Sequence, residues 1–538
     1  MALMFIVLFW RLGVPTFWDP DEAHYAQTSR ELIDTGDWQA PYYNEEPFFD
    51  KPILFHWLQA APMSLLADPE LGARFSPAVA GVLLVLTTWW IGVQLAGRRV
   101  GAVAALLLSV NPGLFALARY AILDTIFTAF LFGGLSLLAV AALRERPRLQ
   151  YGGYVLIGMA CFTKGPLALV LCGIVFAVVV AGSASLRRRL LTLQWMPGAV
   201  IAALLPFPWF VYMLWRFRGA FVSGYFLDEN VLLYATPLYA NQPPWWFYLG
   251  ITATGLLPWT PLLIGRLVDH LRGWMRGASS LDPFDVILWA WTLTIVGFFS
   301  LSRFKLDHYV FPAAPALCLI CARAWVDGQS ASAGPGVRLG LRLIGPTLAV
   351  SGIGVGVFMV SRLNLPAAAL SVAIALVAAG AWATWRYGRT PVSGAPALAI
   401  GALGVTYVGL VLFVMPAIER GKVVPDVAEW VAGRASATDR IATFRLNRWN
   451  PAYRFYVNRH TEMLESDEDA RRFFSDPSPY YCVMTRPLYE ALRAAGVPLV
   501  VAYGREGLWV TSGKALWREQ PERTEFVVTT GGRHRPAP

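Results

Sequence analysis

Apolar runs long enough to cross a lipid bilayer recur along this chain, and they decide what it can fold into. A helix rises about 1.5 Å per residue and needs about 20 apolar residues to span the hydrocarbon core. Thirteen such runs are read: one ending near Leu12, then 75–96, 100–118, 121–143, 151–162, 165–182, 196–215, 245–263, 286–301, 306–320, 343–360, 365–385 and 396–417. Only 15% of the residues are charged, against roughly 25% in a soluble domain, and 56% are hydrophobic. A disordered chain is excluded on this ground, and the balance is against a soluble enzyme. The five cysteines form neither a disulfide framework nor a zinc ribbon.

A net charge of +10 would suit nucleic acid, but the basic residues sit in short clusters between the runs. Arg98 and Arg99; Arg144, Arg146 and Arg148; Arg187, Arg188 and Arg189; Arg266, Arg272 and Arg276; Arg323, Arg338 and Arg342; and Arg386 and Arg389 occupy alternate connections. The positive-inside rule puts all of them in the cytoplasm. The other connections then face outward, including a first loop over 13–74, an aromatic loop over 216–244 and the tail from 419. An odd number of spans places the termini on opposite sides. The first run has only about half a crossing before Arg11, so either the natural start is expected upstream or this segment is a stub. A cleaved signal peptide would need a basic start and a small-residue cleavage site, which this segment lacks.

From 419 to 538 Arg, Asp and Glu return. Strands are expected at 440–444, 453–457, 480–484, 499–503 and 508–511, with helices at 467–474 and 487–494. The expected organisation is a membrane part over 1–418, which includes the first loop, and an extracytoplasmic α/β domain over 419–538.

Ionisable residues at membrane depth cost several kcal/mol and mark function by default. Nearly all fall on the outward side: Asp19, Asp21, Glu22, Asp50 and Lys51; Arg119 and Asp124; Lys164; Asp228, Glu229 and Asn230; and Arg303, Lys305 and His308. Their shared side points to a polar cavity opening outward. Asp19 is placed to cap a helix that has Pro20 at its first position and runs to Thr35, before Gly36. Asp21 and Glu22 then either complement the helix dipole or serve chemistry. The Asp19-Pro20-Asp21 spacing is a weak match to a metal-binding pair of acids.

Residues 48–57 read as an interfacial helix entered through Pro52, with aromatic rings at headgroup level. Lys51 beside Asp50 is either a solvated pair or a point charge for a lipid phosphate. Arg303, Lys305 and His308, three cationic or titratable groups within six residues, favour anion binding over helix-end snorkelling. Cys318 and Cys321 read as small packing residues, and His56 as interfacial packing.

These pieces share an order. They are Asp19-Pro20-Asp21-Glu22-Ala23-His24-Tyr25 with Gly36-Asp37-Trp38, Phe49-Asp50-Lys51-Pro52, Arg74-Phe75, Arg119-Tyr120 through Asp124, Thr163-Lys164-Gly165-Pro166, Pro244-Trp245-Trp246-Phe247-Tyr248 with Leu257-Pro258-Trp259, and Ser302-Arg303-Phe304-Lys305-Leu306 through His308-Tyr309. In them the chain resembles the bacterial membrane glycosyltransferases of the C-type fold. That family includes the aminoarabinose transferases of lipid A and, more distantly, the protein O-mannosyltransferases.

The resemblance implies a polytopic α-helical membrane protein of about 13 transmembrane helices with a small C-terminal α/β domain. It implies Asp21, Glu22 and Asp124 as the catalytic acids, and Lys51, Arg119, Lys164, Arg303 and Lys305 as handlers of the donor phosphate. Asp50, Tyr25 and His308 complete the pocket. A divalent metal is the one candidate cofactor, with Asp50 its candidate ligand. The family usually has Glu at position 50, and a His where this chain has Asn241 and Gln242.

The donor implied is a polyprenyl-phosphate sugar. The acceptor is lipid A, another glycan or a protein, the bilayer is the surrounding partner, and no nucleic acid is involved. A polyprenyl phosphate is already a good leaving group, so the enzyme must orient the acceptor and stabilise charge on the departing phosphate. Inversion at the anomeric carbon follows by resemblance. The expected location is the bacterial cytoplasmic membrane, with site and C-terminal domain facing outward. A lipid or polysaccharide transporter is the main rival, but it would put polar groups near the midplane. A membrane-anchored sensor is the second, and it would not require acids and lysines in the first loop.

Overall fold

In the computed structural model, residues 2–236, 242–277, 281–330, 333–361, 369–387, 394–446, 451–509 and 524–531 are described. Asn241, Arg389, the start of the 365–385 run and residues 510–511 lie outside them. Within the described residues each predicted run lies largely in helix. Seven helices are long and apolar enough to cross a membrane among the described residues, or ten if each of three bent pairs is one span. The remaining three runs form the shorter helices Ala2–Phe9, Leu149–Lys164 and Leu167–Gly182. By length and composition, then, the structure supports seven to ten of the thirteen expected spans.

The three bends share a cause. Arg98–Ser109 turns by 59° into Pro112–Ala118, Trp195–Leu204 by 47° into Phe207–Ala235, and Phe247–Gly255 by 114° into Thr260–Met275. Pro112, Pro206 and Pro258 stand at these breaks, where a proline lacks the N–H that would continue the helix and disfavours helix in the residue before it. The 245–263 run, expected as one crossing, is therefore broken between two helices that fold back on each other at 114°.

Helices Asp124–Leu143 and Leu149–Lys164 form an antiparallel hairpin. A Cβ on Gly134 would stand 2.9 Å from the Gly153 carbonyl oxygen, and one on Gly153 equally close to that of Gly134. Small residues at a membrane helix crossing let the backbones meet in this way. The hairpin sets Asp124, in the first turn of one helix, beside Lys164, in the last turn of the other. Each charge complements its helix dipole.

The first loop folds into two helices, Asp21–Thr35 and Leu54–Leu65. The first ends where the sequence places it, at Gly36, whose φ of +70° is the left-handed conformation that glycine adopts without strain. The second begins two residues after Pro52, yet it is no simple surface anchor. Phe55, His56 and Gln59 are fully buried, and Ser29 Oγ donates to Gln59 Oε1 at 2.7 Å and stands 3.0 Å from His56 Nδ1. Burial pushes the His56 imidazole down to about 3, so it packs as a neutral ring.

The tail carries a five-stranded sheet in the order Glu462–Leu464, Arg440–Phe444, Tyr480–Thr485, Thr524–Gly531, Val500–Gly507. The first two pairings are parallel and the last two antiparallel. Helices Asp467–Ser475, opened by a Ser466–Asp469 capping box, and Arg486–Ala494 lie where expected. Residues 453–457 were expected as a strand but belong to the helix Pro451–Val457. Its alternating aromatics sit against the first loop rather than in the sheet: Phe17, Ala23 and Ala26 share one apolar cluster with Val427, Tyr453 and Phe455. Polar ties follow the same seam. Arg454 pairs with Glu31 at 3.0 Å, Arg30 donates to the Phe455 carbonyl at 2.6 Å, and Tyr456 donates to Glu70 at 2.7 Å.

Candidate active site

A cavity of about 910 Å³ opens among the first loop, helix Pro112–Ala118, the bend before Thr260–Met275 and the segment 304–317. Asp21, Arg119, Lys305 and His308, all selected from the sequence, line it together with Asp19 and Asp307. Residues nearly 300 positions apart thus meet at one chamber. Arg119 is almost fully buried and donates to the Val7 carbonyl at 3.2 Å and the Arg11 carbonyl at 3.4 Å. Its Nε–H has no hydrogen-bond acceptor among the described residues. The Lys305 ammonium folds back onto the Ser302 carbonyl.

Beside the chamber run two paired-charge networks. Lys164 Nζ stands 2.6 Å from Asp124 Oδ1, and His308 Nε2 stands 3.7 Å from Asp124 Oδ2. Lys51 pairs with Asp50 and reaches Glu229 at 3.4 Å, while Tyr25 Oη donates to Asp50 Oδ2 at 3.0 Å. Burial alone would raise the Asp50 carboxyl, but the Lys51 ammonium and a hydrogen bond with Glu229 hold it below the usual carboxylate range. Lys51 is raised: burial would lower it, and Asp50 and Glu229 outweigh burial. Both stay charged. Asp21, Asp50 and Asp124 all lie within electrostatic reach of Tyr25 and Tyr309.

Three expectations change. Glu22 does not face the chamber. It is fully buried, its carboxylate takes Arg74 Nε at 2.6 Å and Nη2 at 2.9 Å, and it accepts the backbone N–H groups of Trp18 and Ala121, both at 2.9 Å. Four donors occupy its lone pairs, so it clamps the first loop to two later segments and has none left for a substrate. Arg303 is exposed and does not line the chamber. Asp19 does not cap the helix after it, because the N-cap position is Pro20. Its Oδ1 instead accepts the Ala452 N–H at 2.9 Å, at the start of Pro451–Val457, while Oδ2 is buried without a hydrogen-bond partner among the described residues.

The described residues do not fit a metal centre. No group of three or more His, Cys, Asp and Glu among them could hold an ion, and the oxygens of Asp50 are taken by Lys51 and Tyr25. Lys422 is a residue that sequence reasoning missed, and Arg74, quoted in the resemblance, was given no role there. Each is a buried cation tied to a distant segment, Arg74 to Glu22 and Lys422 to the Thr16 oxygens, while the acidic partner of Lys422 is nearby Glu419.

Burial pushes the Asp19 carboxyl up to about 7, outweighing the Ala452 N–H and nearby Lys422, which lower it. The folded chain therefore holds this proton to higher pH than the unfolded chain, whose carboxyl titrates near 3.8. Stability should fall as pH rises from about 4 to about 7, by about 4 kcal/mol in total. Thermal melts across that range should show the decline, and Asp19→Asn, which keeps an acceptor for Ala452, should flatten it. An unchanged slope in the variant would refute the assignment.

Residues 1–221 match the family pattern described as dolichyl-phosphate-mannose-protein mannosyltransferase. The whole chain superposes on the crystal structure of ArnT from Cupriavidus metallidurans bound to undecaprenyl phosphate, with a TM-score of 0.75 at 21% identity, covering 100% of this chain and 98% of that one. The chain therefore shares the fold of that protein. An undecaprenyl phosphate-alpha-4-amino-4-deoxy-L-arabinose arabinosyl transferase of Aeromonas hydrophila is 31% identical over 335 residues, 60% of this chain and 59% of that protein. The enzyme of the same name from Edwardsiella ictaluri is 30% identical over 347 residues, 63% and 61% of the two chains. The match thus spans about three fifths of each relative's length. Within the C-type fold, the likeness extends to archaeal oligosaccharyltransferase AglB from Archaeoglobus fulgidus, with a TM-score of 0.51 at 12% identity over 90% of this chain and 68% of that one.

Proposed function

We propose that this C-type chain transfers a sugar from a polyprenyl-phosphate donor to a lipid, glycan or protein acceptor, with aminoarabinose and lipid A the first pair to test. The observation that carries the reading is one chamber lined by a carboxylate, Asp21, and by the cations Arg119 and Lys305. Transfer from a phosphate leaving group needs those two kinds of group. The cations stabilise charge on the departing phosphate, and the acid positions the acceptor or takes its proton. Lys164 and Lys51 are already paired with Asp124 and Asp50. They balance the buried carboxylates beside the chamber and leave the phosphate to Arg119 and Lys305. The positive-inside reading puts the chamber and the sheet on the outer face of a cytoplasmic membrane, where a polyprenyl carrier delivers sugars that nucleotide donors cannot. One boundary, near residue 419, separates the membrane part from the sheet-bearing part in this proposal.

The test is transfer by the purified full chain from radiolabelled polyprenyl-phosphate sugars into membrane lipids and proteins. Label appearing in lipid A from the aminoarabinose donor alone supports the named pair. Label in another fraction keeps the reaction class and changes the acceptor. No transfer from any donor by folded protein overturns the proposal.

A further inference from the structure

A second cavity, about 360 Å³, lies where the end of the first helix, the end of the last membrane helix and the base of the sheet meet. Its charged lining is unbalanced. Arg11, Arg420, Lys422 and Arg505 face Glu419 and Asp426. Both carboxylates are committed, Asp426 to Arg505 and Glu419 to Lys422 at 3.1 Å and the Thr16 N–H at 3.1 Å. Lys422 is buried and spends its ammonium on Glu419 and on Thr16 oxygens at 3.0 and 3.1 Å. Arg11 and Arg420 have no ion-pair partner among the described residues.

These two arginines end the first and last apolar runs, so they stand at one leaflet boundary, and on the side where the positive-inside rule leaves few cations. The opposite wall, from Val14, Val411, Met415 and Pro416, is apolar. A free anion would gain nothing from that wall, and a neutral lipid nothing from the arginines. We propose that this cavity holds the phosphate of an anionic membrane lipid against Arg11 and Arg420, with an acyl chain along Val411 and Met415. Met415 also lines the larger chamber, so the lipid would wedge beside the reaction site without occupying it. The proposal stands independently of which sugar or acceptor is used.

The test reconstitutes the full chain in phosphatidylcholine doped with phosphatidylglycerol and counts retained lipids by native mass spectrometry. Wild type should keep one phosphatidylglycerol in preference to phosphatidylcholine. Arg11→Gln with Arg420→Gln should weaken its retention about ten-fold or more, and Arg11→Lys with Arg420→Lys, which preserves charge, should restore it. Inorganic phosphate should not displace the lipid. Equal retention of both lipids, no loss in the glutamine pair, loss in the lysine pair as well, or displacement by phosphate would each overturn the proposal. The last would point to a free-anion site instead.

Discussion

Asp21→Asn is expected to lower sugar transfer by about a hundred- to ten-thousand-fold, the range over which a positioned acid or base contributes. The substitution is close to isosteric and sits in the first turn of Asp21–Thr35, so it removes charge and proton affinity without emptying space. Because Asp21 lines the chamber while Glu22 does not, the effect should belong to the first of these adjacent acids. Membrane insertion and melting temperature should stay near wild type, and donor retention should persist, since the proposal gives the phosphate to Arg119 and Lys305. Transfer within about two-fold of wild type would remove Asp21 from the chemistry.

The second large effect concerns stability. Glu22→Gln leaves the Arg74 guanidinium, only 1% exposed, without its countercharge. Breaking a buried pair from one side costs about 3–5 kcal/mol, enough to unfold much of a marginal protein. Thermal unfolding in detergent should shift sharply downward, and extracted protein should aggregate on gel filtration. The double variant Glu22→Leu with Arg74→Met should recover part of the loss. It cannot recover all, because the N–H groups of Trp18 and Ala121 would lose their acceptor. A Glu22→Gln protein of normal stability and lost transfer would restore Glu22 to the catalytic set.

These two neighbours show what the sequence could carry. The apolar runs, the helix ending at Gly36 and the strand Arg440–Phe444 were legible because each rests on local periodicity or backbone chemistry. Asp21, Arg119, Lys305 and His308 were legible as a group because charge at membrane depth is costly wherever it occurs, and the chamber gathers all four. What separates Asp21 from Glu22 is a partner 52 residues away, Arg74, and no local pattern encodes that. The helix Pro451–Val457 was missed for a similar reason. Its apolar alternation serves contacts with Phe17 and Ala26, outside the sheet that such a pattern suggests.

The sheet order carries a consequence for synthesis. Thr524–Gly531, from the far end of the chain, lies inside the sheet between Tyr480–Thr485 and Val500–Gly507. That sheet's neighbouring helix holds Asp19 and Glu31 of the first loop. The first loop emerges from the ribosome about 500 residues before its last support. Until then the Asp21 helix rests only on earlier partners such as Arg74 and Gln59, so a chain terminated before the tail would lack the Ala452 and Arg454 contacts on the other side of that helix.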